Sequence, residues 1–300
     1  MSQPREKCIT FAIPCYSAPE LLIETIESVF RQSQSNWLLN IYDDNPDAPL
    51  DRDRISSYLE DPRVSYHLNA SNLGISENWN QCLTRAGSEF VTILHSDDCL
   101  LPHYIDVMLC LAADRPDSAA WFCQTQIIDA DGNECFSFVD RAKSHLRNKL
   151  PGNDLTGEAG ATSLLKGNYI MCPTVCYRKS AIGRQRFSSH WKFVLDLDFF
   201  IRLLLSGASI SGTDDIAYAY RRHCDSQTSV LSRNMTRFEE ETSYYDSVSS
   251  ALSETGWHAA ASVARRKRIV KLHLLYLILT DVLHFRISLA KQRLMFLVRA

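Results

Sequence analysis

Phe90-Val91-Thr92-Ile93-Leu94-His95-Ser96-Asp97-Asp98 decides how this chain is read. Five apolar or β-branched residues form a buried strand, and two adjacent carboxylates follow it almost at once. Pro102 then stands where proline favours the first turn of a helix. A strand, an acid-bearing loop and a helix make the repeating unit of an α/β protein.

The same unit recurs upstream. Ile9 to Ile13 reads as a strand, and Pro19 to Gln32 as a helix with Leu22, Ile26, Val29 and Phe30 on one face. Leu38 to Tyr42 is a second strand, broken by Asp43-Asp44-Asn45-Pro46. A helical stretch from about Arg52 to Glu60 leads to a third strand, Val64 to Leu68. Ser76 to Ala86 reads as a helix with Ser76 at its N-cap, and Ala119 to Thr125 as a fifth strand. This alternation predicts a parallel sheet with helices on both faces. Such sheets bind ligands at the carboxyl ends of their strands. The residues to inspect are therefore Pro14-Cys15-Tyr16, Asp43-Asp44, Asn69 to Gly74 and His95 to Asp98.

Downstream the pattern loosens. Asp131-Gly132 has the character of a hairpin turn, and Arg141 to Gly157 reads as a polar loop. Cys172 to Tyr177 and Ile216 to Arg221 read as strands, Leu195 to Leu205 as a helix, and the chain is helical from about Arg237. The 300 residues are 45% hydrophobic and 22% charged, which fits an ordinary globular chain and excludes collagen, coiled coil and disorder. Ten scattered cysteines show no CxxC pair and no zinc spacing, so they read as reduced, structural thiols in a cytoplasmic protein. The opening residues are polar and charged, unlike a signal peptide.

Paired carboxylates at strand ends repel each other and suit Mg2+ or Mn2+, which also bridge phosphates. Each pair alone is equally readable as a turn or helix cap. In Leu195-Asp196-Leu197-Asp198 the second acid, Asp198, has Arg202 one helical turn on, whereas Asp196 has no local partner. Asp196 is thus a general-base candidate, or else a helix-opening acid favoured by the dipole. Tyr220-Arg221-Arg222-His223 closes a predicted strand with groups suited to a diphosphate and a metal, or to a solvated basic turn.

In order and spacing these pieces resemble the family 2 glycosyltransferases of the GT-A fold. The resemblance rests on Pro14-Cys15-Tyr16-Ser17, Ser28-Val29-Phe30-Arg31-Gln32-Ser33, Trp37 to Asp44, Asn72-Leu73-Gly74, Ala86 to Phe90, His95 to Asp98, Asp196 to Arg202 and Tyr220 to His223. It covers roughly residues 8 to 225. It implies a Rossmann-like nucleotide-binding sheet with helices on both faces, plus a C-terminal helical extension. The GT-A unit would run over 1–230, with a nucleotide-binding half to about 125 and an acceptor and catalytic half over 126–230. The extension would occupy 231–300. The resemblance further implies metal-dependent, inverting transfer of a sugar from a UDP-sugar to a glycan or lipid-linked acceptor. Pro14, Tyr16, Asp44, Asn72, Asp97 and Arg221 would contact the nucleotide, Asp98 and His223 would hold Mn2+ or Mg2+, and Asp196 would be the base. Three positions depart from the family pattern: His95 stands for an Asp, Leu195 for an acid and Ser17 for an Asn. They leave open a non-catalytic sugar-nucleotide binder. A sugar nucleotidyltransferase would need a Gly-rich loop after the first strand, which is missing.

Charge is unevenly spread. Residues 256–300 hold nine Lys or Arg and one acid, Asp281, a net +8; with the chain at −3, the remainder carries −11. The tail has no nucleic-acid-binding module. Two readings fit it: contact with an anionic membrane surface, at the inner face, or a helical cap on the domain or on a second subunit.

Overall fold

The structure is a computed structural model that describes residues 8–16, 19–135, 154–222 and 235–299. The strands are β1 Ile9–Cys15, β2 Trp37–Asp43, β3 Val64–Leu68, β4 Phe90–Ile93, β5 Cys99–Leu100, β6 Ser118–Ile128, β7 Asp154–Leu155, β8 Cys176–Arg178 and β9 Ser209–Arg221. The helices of the first half are α1 Pro19–Phe30, α2 Ser56–Leu59, α3 Ile75–Arg85 and α4 Tyr104–Asp114. Those of the second half are α5 Gly157–Lys166, α6 Lys179–Ile182, α7 Leu195–Leu205, α8 Thr236–Glu254, α9 His258–Arg266, α10 Arg268–Leu283 and α11 Ile287–Arg299.

One sheet has the order β3-β2-β1-β4-β8-β6-β9-β5, with β7 also pairing β9. β1, β2, β3 and β4 are parallel neighbours, as the alternation predicts. β8 then enters antiparallel between β4 and β6, so β6 recovers the direction of the first four strands and β9 runs with it. The predicted all-parallel sheet is thus a mixed one. Local pattern announces that a strand exists, not which neighbour it will find. β6 and β9 slip register at three points, and a Cβ at Gly212 would lie 2.4 Å from the Phe122 ring, so only glycine lets these strands approach.

Two details differ from the sequence reading. Ser76 is buried inside α3, and Gly74, with φ +76°, takes the N-cap position. Cys172–Thr174 winds into a 3-10 turn before β8 begins. Asp131-Gly132 does turn the chain, with Gly132 at φ +84° and Ile128 bridging Glu134. Most of the expected loop over 141–157 lies outside the described residues, but Asp154–Leu155 and the start of α5 are ordered within it. Nine described cysteines are free thiols.

Two apolar layers sandwich the sheet. One gathers Leu22, Ile26 and Val29 of α1 with Tyr104, Ile105 and Met108 of α4. The other gathers Cys82 and Leu83 of α3, Phe199 and Phe200 of α7, and side chains from α8, α9 and α10.

Candidate functional site

The carboxyl ends of the parallel strands are laced into one edge. The Asp44 amide donates to Cys15 O (2.8 Å), Asn69 N to Asp43 O (2.8 Å), Leu94 N to Ala12 O (3.0 Å) and Arg222 N to Ile128 O (2.8 Å). This edge brings together the residues that the strand-end rule selects.

The loop after β4 is gripped from α1. Thr25 Oγ1 donates to Asp98 O (2.7 Å), and Ser28 Oγ accepts from Leu100 N (3.0 Å). Gln32 Nε2 donates to Leu101 O (2.8 Å), while its Oε1 accepts from Ile105 N (3.2 Å). The Ser-x-x-x-Gln spacing seen in the sequence thus has a physical role: Ser28 near the end of α1 and Gln32 just beyond it hold Leu100, Leu101 and Ile105, which follow the loop of Asp97 and Asp98.

Asp98 is 1% exposed. Its Oδ1 accepts from Arg221 N (2.7 Å) and its Oδ2 from Tyr218 Oη (3.0 Å). Burial pushes its carboxyl well above the usual carboxylate range; the Asp97 charge adds to this, and the Arg221 amide and Tyr218 hydroxyl oppose it. His95 Nδ1 lies 3.8 Å from Asp98 Oδ2, and one ligand atom each from His95, Asp97 and Asp98 fall within 4.8 Å of one another. Burial lowers the His95 pKa, partly countered by Asp97, so the imidazole is neutral and has a lone pair to give. His95 Nε2 is buried without a partner, against Trp79, whose ring centre is 5.3 Å away. An imidazole and two carboxyl groups gathered this closely are a donor set that a divalent cation such as Mn2+ accepts. His95, an expected departure from the pattern, is thus one of the three side chains placed to hold such an ion. His223, expected as a ligand, lies outside the described residues.

Arg221, expected at the nucleotide, turns inward. Its side chain is 1% exposed, and the guanidinium faces Asp97 O (2.8 Å), Asp129 O (3.3 Å), Ala130 O (2.9 Å), Glu24 Oε2 and Cys99 Sγ (3.9 Å). Each of its five N–H groups thus has an acceptor within the chain itself. Arg221 is a strut that ties the Asp97-Asp98 loop to the turn after β6.

Asp44 is buried and accepts three hydrogen bonds of 2.8 Å, from Asn69 Nδ2, Leu73 N and Gly74 N. A carboxylate has about four lone-pair sites, so one remains. Asn72 is exposed, and its Oδ1 accepts from Gly74 N (2.9 Å). Tyr16 is exposed at the end of β1, and Pro14 is half-buried within that strand.

Asp196 is half-buried in the first turn of α7. Asn168 Nδ2 donates to its Oδ2 (2.9 Å), and Leu197 N to its Oδ1 (2.7 Å). Asp198 pairs with Arg202 at 2.8 Å, as the spacing predicts. α7 is tied to His95 through a chain of ring contacts. Phe199 lies 4.4 Å from Phe187, Phe187 lies 5.1 Å from Trp79, and Trp79 reaches His95. Sequence reasoning missed Tyr218, Asn168 and this aromatic relay, because all are contacts between residues remote in the chain.

Residues 10–166 match the model of glycosyl transferase family 2. The chain belongs to that family. A protein provisionally named as the colanic acid biosynthesis glycosyl transferase WcaA of Escherichia coli (strain K12) is 33% identical over 34% of this family 2 chain. The match spans only 36% of that relative's length. The teichuronic acid glycosyltransferase of Bacillus subtilis (strain 168), TuaG, likewise a provisional name, is 25% identical over 71% of the chain and 78% of its own length. The crystal structure of S. aureus TarS in complex with UDP-GlcNAc superposes with a TM-score of 0.59 at 15% identity, covering 79% of this chain and 65% of that one. The mannosyltransferase PcManGT from Pyrobaculum calidifontis, solved with GDP-Man and Mn2+, gives 0.58 at 13% identity over 97% and 83%. The shared fold is GT-A.

Proposed function

We propose that this chain transfers a sugar from a nucleoside-diphosphate sugar, a UDP-sugar by family resemblance, to a hydroxyl of a glycan or lipid-linked acceptor, with inversion. The setting would be biosynthesis of a surface polysaccharide or glycoconjugate. The observation that carries the reading is the His95-Asp97-Asp98 set, held at the carboxyl edge of a family 2 sheet and coupled by rings to the helix of Asp196. The polysaccharide setting is supported by the names of the E. coli and B. subtilis relatives. Uracil and guanine both occur among the structural neighbours, so the base is the finer part of the proposal.

Tyr16 packs the nucleobase, Asp44 accepts from it with its remaining lone pair, and Pro14 and Asn72 shape the pocket. Asp97 takes the ribose. His95, Asp97 and Asp98 would hold a divalent cation, which when bound offsets the charge growing on the diphosphate. The acceptor oxygen attacks the anomeric carbon from the face opposite the diphosphate, whose bond breaks with its electron pair leaving on the phosphate oxygen. Asp196 removes the acceptor proton, and Asn168 keeps one carboxylate oxygen oriented. One displacement inverts the centre.

The test is release of nucleoside diphosphate from a panel of UDP-, GDP- and dTDP-sugars with Mn2+ or Mg2+. Metal-dependent release from one donor, abolished by Asp98→Ala, is expected. Asp196→Asn should lower acceptor-dependent transfer by about 10²- to 10⁴-fold. A product that keeps the donor's anomeric configuration would overturn the inversion, and undiminished transfer by Asp196→Asn would overturn the role of that residue.

A further inference from the structure

We propose that the hairpin formed by α10 and α11 docks the protein on a bilayer surface bearing anionic headgroups. The inference goes beyond the transferase reading and does not depend on it.

Isolated exposed apolar residues are ordinary, but contiguous ones are not. Twelve of the sixteen large exposed apolar side chains among the described residues lie between 272 and 298. They are therefore concentrated on the hairpin. In α10, Val270, Leu274, Leu277 and Asp281 recur at helical spacing on the face turned to the molecule. Leu272, Leu275, Tyr276, Leu279, Val282 and Leu283 recur at the same spacing on the outer face. One apolar stripe is enough to seat a helix on a core. The second stripe faces outward, and Ile287, Leu294 and Val298, at helical spacing on α11, are exposed as well.

The turn between the helices gives an independent observation. Arg286 N donates to Asp281 O (2.7 Å) and Phe285 N to Val282 O (3.1 Å), closing α10 through a residue at φ +57°. Glycine suits that position, and a bulky side chain is strained there. The residue is Phe285, 89% exposed, and it is flanked by His284 and Arg286. Folding gains nothing from this ring. An aromatic wedge at the tip of an amphipathic hairpin suits the boundary between headgroups and acyl chains.

Charge selects the partner. The one acid of the segment, Asp281, is buried in a pair with Arg293. Among the described residues of the hairpin the exposed charges Arg268, Arg286, Lys291 and Arg299 are all cationic. Two such hairpins packed symmetrically would set cation against cation, which disfavours a second copy. Anionic headgroups meet the cations while the acyl boundary takes the apolar stripe. No described helix is long and apolar enough to cross a membrane, so the contact is with the surface.

The full chain is floated with vesicles of phosphatidylcholine alone and of phosphatidylcholine mixed with phosphatidylglycerol. Binding to the mixed vesicles is expected, weakening as salt rises. Phe285→Gly relieves the strained φ, so its Tm should match or exceed that of the parent, while vesicle affinity falls at least tenfold. Leu279→Ser should weaken binding similarly, and Phe285→Trp should blue-shift its emission on the mixed vesicles. The proposal is overturned if the full chain stays unbound, or if Phe285→Gly binds as tightly as the parent. It is also overturned if the chain is a dimer that Phe285→Gly separates into monomers without any vesicle binding. Donor hydrolysis in vesicle-free buffer is read separately, so a failure here does not bear on the transferase reading.

Discussion

Arg221 shows what a single residue's type conceals. Its place after a strand, beside His223, reads as a phosphate contact, yet all five of its N–H groups turn inward to carbonyls, Glu24 and Cys99. Removing the guanidinium leaves buried carbonyls and the Asp98 loop unsupported. Arg221→Ala should therefore destabilise the fold by about 1–3 kcal/mol in urea unfolding, the cost of leaving buried carbonyls without their donors, since Glu24 is half-exposed and can turn to water. Donor affinity of the fraction still folded should change little. A stable variant with donor binding reduced a hundredfold would restore the diphosphate role. Asp98 and Asp44 were legible from sequence because a strand end fixes where the next side chains lie. Asn168 was not, since nothing over the 28 residues separating it from Asp196 signals a hydrogen bond.

At the scale of elements, the first four strands follow from local pattern because each is a short apolar run between breakers. The place of β8 does not, because an antiparallel insertion depends on chain return rather than on composition. Nor does sequence reveal how α7 is braced. Glu240 of α8 accepts from the amides of Lys192 (2.9 Å), Phe193 (2.5 Å) and Val194 (3.0 Å), directly before the helix that carries Asp196. A carboxylate there also meets the positive end of the α7 dipole. Glu240→Ala leaves three amides without that acceptor and should cost about 1–3 kcal/mol. Because Asp196 lies two residues beyond Val194, kcat for transfer should fall more than tenfold with the donor KM unchanged. Glu240→Gln, which keeps an acceptor oxygen, should restore most of it. If kcat holds while stability falls, the brace is structural only.

For the whole molecule, the question is whether the extension over 231–300, expected from its change of charge and pattern, behaves as a separate unit. Charge patterning can mark a surface but cannot say what lies beneath it. Here Phe238, Tyr244, Tyr245, Leu252, Ala260 and Leu274 share one core with Tyr177, Leu164 and Phe199. The two parts also cap each other. Glu240 serves α7, and Glu158 of α5 accepts from Ala259 N (2.6 Å) and Ala260 N (3.1 Å) at the start of α9. Tyr245 Oη adds a bond to Leu165 O (3.1 Å). A boundary between independent domains is crossed by few contacts, and a shared core is its opposite. Scanning calorimetry of the full chain should then show one cooperative transition, with calorimetric and van't Hoff enthalpies equal. Deleting residues 235–299 should expose the apolar faces of α5 and α7 and give an aggregating product, not a stable GT-A unit. Two resolved transitions, or a soluble truncated chain with an unchanged Tm, would instead make the extension a separate domain. Only in that case would the hairpin be free to move independently of the sheet that carries Asp98.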